Sequence, residues 1–476
     1  MFRNLLYKYF LPGFVILGTG ILVWWIFYNP TSSFIESVPG MDNRKAGKSI
    51  SKEQVKIGEN FVFSKTCADI PGTRWTRFRG QDFDNICKEK VPLIDQFGAT
   101  GPKILWNIPV GDGHASPAVY DGRIYLLDYD EASKSDALRC LSLLTGEELW
   151  RRSYKVHLKR NHGLSRTIPA VSAKYVISLG PRGQVMCVER LTGNLVWGCD
   201  AEKEYEAEIP FWYTGQCPII ENDTAIFATG GNSLVVAIDC KTGKKAWDTP
   251  NPHHWKMSHS SIMPMTFGGK KMYVYCAIGG TCGISAEGPD KGKILWENAE
   301  FSPAVIAPSP IVMDKGLILV MAGYGAGSAV IKVTKEGSSF SARIISKYKP
   351  SEGMASEQQT AINLNGYLYG IQPKDAGALR DQFVCYKPDN CQSAVMSSGK
   401  TVRFGLGPYI YADNKFFILN DNGEMTIAKA SPGSFKVLDK ARIIDGQDSW
   451  GPLTITGGYL LMRDSKHLVC IDIHKK

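Results

Sequence analysis

Seven polar and aromatic side chains of this 476-residue chain have the types needed to bind a small ligand together. Each precedes a short apolar run that reads as a β-strand, such as ASPAV or TIPAV. A His–Arg–Asp–Trp set facing one space could hold an anionic, planar ligand, and a polar, solvated funnel is the alternative. The seven residues are His114, Arg166, Trp212, His259, Gln358, Asp448 and Trp450.

Several familiar chemical motifs are missing from the sequence. No C-x-x-C pair occurs, which disfavours a zinc ribbon, and no C-x-x-C-H occurs, which excludes covalently attached c-type haem. No G-x-S-x-G is present for a serine hydrolase of that type. The segment HHWKMSH has three histidines but no carboxylate or fourth ligand spaced with them, so no metal site is predicted.

The elements that would position the seven residues come from an internal repeat. The units CLSLLTGEELW, CVERLTGNLVW, AIDCKTGKKAW and AEGPDKGKILW recur, and their final tryptophans are 47, 50 and 49 residues apart. Each unit predicts two strands joined by a tight turn, where a glycine takes the positive φ that such a hairpin needs. A second predicted strand pair precedes each unit. Four antiparallel strands in about 40–50 residues are typical of a β-propeller blade.

Eight innermost strands are predicted: ASPAV, TIPAV, QCPII, IMPMT, PSPIV, QTAIN, GPYIY and GPLTI. The last blade has three strands before Lys476, while PKILWNIPV stands alone ahead of the first blade with the sequence of an outermost strand. We therefore predict an all-β, eight-bladed propeller of four-stranded blades, in which this early strand completes the last blade and removes the exposed edge.

AIDCKTGKKAW, Ala237 to Trp247, resembles the repeat of PQQ-binding-like, quinoprotein-type β-propeller proteins, where PQQ is pyrroloquinoline quinone. WTRFRGQDFDN, Trp75 to Asn85, is similar to the W-x-x-x-R-G segment of that group. The resemblance spans residues 75–476 and includes the propeller-type outer-membrane-protein assembly factor and quinoprotein alcohol dehydrogenases. It implies that the tryptophan docks between neighbouring blades.

The resemblance also implies a possible cofactor. Dehydrogenases of this fold bind PQQ with calcium on the propeller axis, and the best-known alcohol-oxidising members hold it under a ring of two adjacent cysteines. This chain has no adjacent cysteines, so that sandwich is absent. PQQ bound in another way remains an alternative.

The twelve cysteines admit two interpretations. Cys140, Cys187, Cys385 and Cys470 share one repeat position with alanines, which predicts small buried residues. An exported chain also permits disulfides, and the candidate pairs are Cys67–Cys87, Cys276–Cys282 and Cys385–Cys391.

Residues 10–28 form an uncharged, apolar stretch, which predicts a transmembrane signal anchor. Nineteen residues at about 1.5 Å each span about 28 Å, close to the thickness of the hydrocarbon core. A cleaved signal peptide is the rival, but the stretch ends in WWIFYNP without a small-x-small cleavage site. Arg3 and Lys8 place the N-terminus in the cytoplasm and the propeller in the periplasm or extracellular space.

These elements predict four regions: a cytoplasmic tail over 1–9, the anchor over 10–28, a linker and pre-propeller segment over 29–100, and the propeller over 101–476. The formal net charge of +9 is spread thinly beyond the N-terminal segment. A dedicated nucleic-acid binder would instead concentrate its charge in one patch.

Together these features predict a membrane-anchored binding or scaffold protein with protein partners, rather than an enzyme, with no certain cofactor and no metal. The alternative is a PQQ-dependent quinoprotein dehydrogenase that oxidises an alcohol or a sugar. A polysaccharide-binding propeller, using Trp212 and Trp450, is a third hypothesis.

Overall fold

The computed structural model describes residues 10–28, 55–159, 161–446 and 448–475, and the chain divides into two units, residues 1–50 and 51–476. In the first unit an α-helix spans Leu11–Phe27, with its described side chains exposed. None of the described helices has the length and hydropathy needed to cross a membrane. The predicted tail over 1–9 and residues 29–54 of the predicted linker and pre-propeller segment lie outside the described residues.

The second unit is an eight-bladed β-propeller, as predicted. Its strands are given blade by blade, from the innermost to the outermost. Blade 1 contains Ala118–Tyr120, Arg123–Asp130, Ser135–Ser142 and Glu148–Lys155, and blade 2 contains Ala170–Val171, Tyr175–Leu179, Gln184–Glu189 and Leu195–Asp200. Blade 3 contains Ile219–Glu221, Thr224–Ala228, Ser233–Asp239 and Lys245–Pro250, and blade 4 contains Met263–Phe267, Lys270–Ala277, Gly280–Ser285 and Ile294–Asn298. Blade 5 contains Ile311–Met313, Leu317–Ala322, Gly327–Glu336 and Ser339–Tyr348, and blade 6 contains Ile362–Leu364, Tyr367–Ile371, Phe383–Tyr386 and Met396–Ser397. Blade 7 contains Tyr409–Ala412, Lys415–Leu419, Glu424–Ser431 and Ser434–Arg442, and blade 8 contains Thr454–Thr456, Tyr459–Arg463, His467–Asp472 and Lys103–Pro109.

The ring closes with the early strand Lys103–Pro109, which pairs antiparallel with the third strand of blade 8. This pairing places Trp106 opposite Cys470 and against blade 1, where a Cβ added at Gly146 would lie 2.7 Å from the indole. The indole nitrogen donates a hydrogen bond of 2.9 Å to the Leu143 carbonyl. The predicted closure is therefore confirmed, and the turn glycine is required because no side chain fits beneath the tryptophan.

The same docking repeats around the first half of the ring. The turn glycines of blades 2, 3 and 4 pack on Trp150, Trp197 and Trp247 of the preceding blades. Trp197 donates to the Cys240 carbonyl at 3.0 Å, which matches the bond made by Trp106. Adjacent blades are thus held together by a packed indole ring at each of these junctions, and the indoles of Trp106 and Trp197 add a hydrogen bond.

Cysteines of the shared repeat position are buried, as predicted. Cys140, Cys187 and Cys470 lie opposite the docking tryptophans of their own blades, and burial raises the pKa of Cys470 to about 12. In blade 4 the residue opposite the tryptophan is Gly283. It is not Ala286, which the sequence places at the repeat position six residues before the turn glycine Gly292, because a longer turn shifts the register. A Cβ at Gly283 would lie 2.1 Å from the Trp296 indole, so only glycine fits.

None of the candidate disulfides forms, since all twelve cysteines are free thiols. Cys67 packs beside blade 1, whereas Cys87 belongs to a strand on blade 7. Cys276 and Cys282 lie on neighbouring strands but face Thr281 and Tyr275 in the register. The sequence spacing of these pairs was therefore a poor guide to their positions in the ring.

Innermost strands of adjacent blades are linked by side chains of one repeat position, two residues before each strand. The backbone N–H of Cys217 donates to the Ser261 hydroxyl at 2.9 Å, Ser261 N–H donates to Ser309 at 2.9 Å, and Ser309 N–H donates to Thr360 at 2.8 Å. Ile168 N–H donates to the Cys217 thiol in the same way. This belt of hydrogen bonds joins blades 2 to 6 around the axis.

Residues 60–94, from the predicted linker and pre-propeller segment, join the propeller. The strand Asn60–Phe63 adds to the outer edge of blade 1, Arg74–Trp75 adds to its innermost strand, and Ile86–Cys87 runs parallel to the innermost strand of blade 7. We call residues 70–94 the crossing segment. It lies at the end of the axis where the innermost strands finish.

The crossing segment contacts opposite sides of the ring. The Thr76 carbonyl accepts a hydrogen bond of 2.8 Å from Val171 N–H of blade 2, and Arg79, three residues later, binds blade 6. Arg79 is buried and donates to the carbonyls of Thr360 and Ala361 and to two carbonyls of its own segment. Because blades 2 and 6 face each other in a ring of eight, the segment lies across the axis.

Replacing Arg79 with Met should destabilise the propeller by about 3 to 5 kcal/mol, because four carbonyl oxygens lose their donor in a buried place. Denaturant titration of the full chain in detergent measures this. Arg74→Met is the matched control on the same segment, because Arg74 forms a partly exposed ion pair with Asp121, and its cost should stay below about 1 kcal/mol. Equal losses in the two variants would show that Arg79 does not fasten the segment.

Candidate functional site at the open end of the axis

The axis is open to side chains at the end where the innermost strands begin. One repeat position, four residues before each innermost strand, supplies a ring of eight residues at this end. We call it the axial ring: His114, Arg166, Gly215, His259, Ala307, Gln358, Gly405 and Trp450. Five of the seven residues singled out from the sequence belong to it, and Trp212 and Asp448 lie three and two residues before their ring positions. All seven are partly exposed.

Large and small residues alternate over much of the axial ring, and the small ones make room for neighbouring imidazoles. A Cβ added at Gly215 would lie 2.6 Å from the Nδ1 atom of His259. A Cβ added at Gly163, just before the ring position of blade 2, would lie 2.8 Å from the ring of His114. Each imidazole is therefore packed flat against a glycine backbone, which fixes its position.

We call the space that the axial ring surrounds the recess. Two aromatic groups form on different sides of it. The ring centroids of His114 and Trp450 are 5.2 Å apart, which joins blades 1 and 8. On the other side, Trp212 lies 6.2 Å from His259 and stacks on Tyr324 of blade 5 at 6.0 Å. Each group offers an indole face beside a polar ring.

Arg166 is a cation whose charge acts on both histidines. Burial, together with the charge of Arg166, lowers the pKa of His259 to about 3. Burial likewise lowers the pKa of His114 to about 3, with the charges of Arg166 and Arg463 adding to the effect. Burial lowers the pKa of Arg166 itself only to about 10. At neutral pH this side of the recess therefore contains a guanidinium between two uncharged imidazoles.

Blades 6 to 8 supply acidic side chains to the open end of the axis. Trp450 donates its indole N–H to Asp421 at 3.0 Å, and Asp448 adds a second carboxylate nearby, which contributes to a raised Asp421 pKa that burial mainly causes. Glu357 pairs with Lys374 at 3.4 Å, and burial raises the pKa of its carboxyl group. Gln358 lies beside Glu357 in a small crevice that reaches Gly405. Gln358 and Asp448 thus come from the acidic blades, and Glu357 and Lys374 also border Tyr324 of the other aromatic group.

Six polar atoms around the axial ring are buried without a hydrogen-bond partner in the described protein. Fourteen such side-chain atoms occur in the described residues, so this end of the axis holds a large share of them. They belong to His114, Ser165, Arg166, Ser260, Glu357 and Ser449. Unpaired buried polar atoms are costly and uncommon, and a cluster of them indicates a place where a ligand or water completes the bonding.

Sequence reasoning missed Tyr324, Glu357 and Asp421. Tyr324 lies in GYGAG, which forms the turn between the second and third strands of blade 5. Asp421 follows the second strand of blade 7, and no repeat signal marks it. Glu357 could have been found, since it adjoins Gln358 at the repeat position that supplied the other residues.

Comparison with known proteins gives the family. A sequence model of the outer membrane protein assembly factor BamB matches residues 133–376, which is just over half of the chain. The chain belongs to this family. No curated protein matches the sequence significantly.

Two solved structures show the same fold at low sequence identity, and a third is similar at a lower TM-score. BamB from Moraxella catarrhalis is 10% identical with a TM-score of 0.52 over 78% of this chain and 100% of its own. The computationally designed Ika8 protein is 11% identical with a TM-score of 0.50, with the same coverage of both chains. The quinohemoprotein alcohol dehydrogenase from Comamonas testosteroni is 12% identical with a TM-score of 0.43 over 85% of this chain and 81% of its own.

The axial ring does not fit the calcium–PQQ pair that the resemblance implies. No group of three His, Cys, Asp or Glu side chains among the described residues is placed to hold a metal ion. PQQ carries three carboxylates, whereas Arg166 supplies one guanidinium and both neighbouring imidazoles are uncharged. The recess suits a ligand with one negative charge and several neutral polar groups.

The low pKa of His259 predicts a specific pH dependence of stability. The unfolded chain binds a proton at about pH 6.5, whereas the folded imidazole stays neutral until about pH 3, so stability is lost as the pH falls through this window. His259→Gln should reduce the loss between pH 7.5 and 4.5 by about 2 kcal/mol. Denaturant titration at both pH values measures it.

The control for this measurement is His157→Gln, which changes an exposed histidine. It should leave the difference between the two pH values as in the unmodified protein. If His259→Gln also leaves it unchanged, the imidazole is accessible to protons in the folded state and the described packing is wrong.

Proposed function

We propose that the protein is a membrane-tethered binding protein that recruits a protein partner through the edge of blades 1 and 2. The observation that carries the proposal is an exposed apolar surface there. Its members are Val62, Phe63, Leu144, Leu191 and Leu195, and we call it the apolar edge. Exposed apolar clusters of this kind mark interaction sites on soluble domains.

The apolar edge is built by the strand Asn60–Phe63, which adds a fifth strand outside blade 1 with all four side chains exposed. Blade 2 borders it: a Cβ at Gly193 would lie 2.9 Å from the Phe61 ring, and one at Gly58 would lie 2.9 Å from Leu195. A polar outer strand would be the usual protection against unwanted pairing. An apolar one here supports a dedicated partner.

Membership of the BamB family supports the same function. The family is that of an assembly factor for outer membrane proteins, and such a role depends on binding other proteins. The axial donors do not favour the quinoprotein alternative, because they lack a calcium site among the described residues and have too little positive charge for PQQ.

The partner surface can be tested by site-specific photo-crosslinking in intact membranes. A benzophenone amino acid at Phe63 should give one adduct of defined mass, and the same group at Ser338, an exposed turn of blade 5, should not. Leu191→Asp should abolish the adduct at Phe63, because a carboxylate desolvates poorly in an apolar contact. Identical adducts at both positions, or an adduct that survives Leu191→Asp, would contradict the proposal.

The tether is proposed to be residues 10–28, and the propeller to lie outside the cytoplasm. The support is the uncharged sequence of this stretch and the exposed apolar side chains of its helix. Deleting residues 10–28 should move the protein from the carbonate-resistant membrane fraction to the soluble fraction while the thermal unfolding of the propeller stays unchanged. A deletion variant that still sediments with membranes would show that another segment holds it there.

A further inference from the structure

The recess at the axial ring has the chemistry of a sugar-binding site with one acidic subsite. We propose that it binds an acidic saccharide, with the sugar carboxylate at Arg166 and the sugar faces on Trp212 and Trp450. This inference goes beyond the proposed partner binding, because the apolar edge and the axial ring are separate surfaces. Three observations carry it: the charge distribution, the aromatic groups and the unpaired polar atoms.

The charge distribution favours a ligand with a single negative charge. Arg166 is held in place by an N–H group that donates a hydrogen bond to the His162 carbonyl. Its Nε has no partner in the described protein. A guanidinium with free donors matches the geometry of a carboxylate. The carboxylates of Asp421 and Asp448, from blades 7 and 8, would repel a second anionic group and accept hydrogen bonds from hydroxyls.

The aromatic groups favour a saccharide over a compact anion. Trp212 stacks on Tyr324 on one side, and Trp450 packs beside His114 on the other, so two apolar faces border the charged centre. Sugar rings have apolar C–H faces that pack on indole rings, and their edges carry hydroxyls. A phosphate or sulfate ion would leave both aromatic faces unused.

The unpaired polar atoms favour a ligand rich in hydroxyls. The hydroxyls of Ser165, Ser260 and Ser449 are buried without a hydrogen-bond partner, and the Nδ1 atom of His114 is also buried without one. Hydroxyls and neutral imidazoles both donate and accept, which is the property that recognition of a polyol needs. The neutral state of both histidines therefore suits them to hydroxyls rather than to the anion.

The recess can receive such a ligand from one side only. The crossing segment lies over the far end of the axis, with Trp75 and Arg79 buried beneath the blades. A chain of sugars therefore enters by the open end, past the exposed Phe211 and Tyr324 at its rim. This geometry suits the terminus of an acidic glycan better than an internal segment.

The test is calorimetric titration of the full chain, purified in a zwitterionic detergent without a sugar headgroup. The probe is glucuronosyl-maltose, a trisaccharide with one terminal uronate, the neutral trisaccharide maltotriose is its matched control, and inorganic phosphate is the simple-anion control. Glucuronosyl-maltose should bind with one-to-one stoichiometry, and maltotriose and phosphate should each bind at least about tenfold more weakly. Equal binding of phosphate, or of maltotriose, would overturn the proposal.

Variants locate the binding. Arg166→Gln and Trp212→Leu should each weaken glucuronosyl-maltose binding by about tenfold or more, whereas Arg343→Gln, on the exposed outer strand of blade 5, should not change it. Thermal unfolding reports whether each variant is folded. If Arg166→Gln does not fold, the affinity of Trp212→Leu provides the test. Unchanged affinity in a folded Arg166→Gln or Trp212→Leu variant would overturn the proposal.

The same variants separate this inference from the proposed function. Arg166→Gln should retain the photo-crosslink at Phe63, since the two surfaces are distinct. If the unmodified protein does not bind glucuronosyl-maltose but gives the crosslink, only the saccharide site is removed. An absent crosslink with intact saccharide binding would remove only the partner surface.

Discussion

Closure of the ring is the constraint on which every other feature of the propeller depends. One strand pairing accomplishes it, between segments whose ends, Lys103 and Asp472, are 369 residues apart and joined by an ion pair. Without that pairing the last blade would expose an unpaired edge, and blade 1 would lose the indole that covers Gly146. The chain must therefore fold around its whole length before the closing contacts stabilise it.

The radius of the closed ring is set on the inside by polar contacts rather than by sheet pairing. The serine and threonine belt links neighbouring innermost strands through backbone N–H groups. The crossing segment then spans the axis between facing blades through Thr76 and Arg79. Together they hold eight separate sheets at fixed distances, which is why side chains four residues before each strand meet at the open end.

That meeting place combines groups that no single blade could bring together. Arg166 lies close enough to His114 and His259 to lower the pKa of both, although these residues come from three blades. Burial within the ring keeps the imidazoles neutral and leaves the guanidinium as the cation between them. The acidic pair, Asp421 and Asp448, arises in the same way from blades 7 and 8.

The sequence by itself determined the blades, their number and the closing strand, because the hairpin turns, the docking tryptophans and the innermost strands recur at nearly constant spacing. It also located five of the eight positions of the axial ring, since these residues precede the innermost strands at one offset. Only the tertiary structure decided which of them meet. Tyr324 and Asp421 enter the recess from turns that carry no repeat signal, and Cys67 and Cys87 lie on different blades despite their spacing. The reason is physical: repeats report contacts within a blade and between neighbours, whereas contacts across the axis, including those of the crossing segment, depend on the curvature of the whole ring.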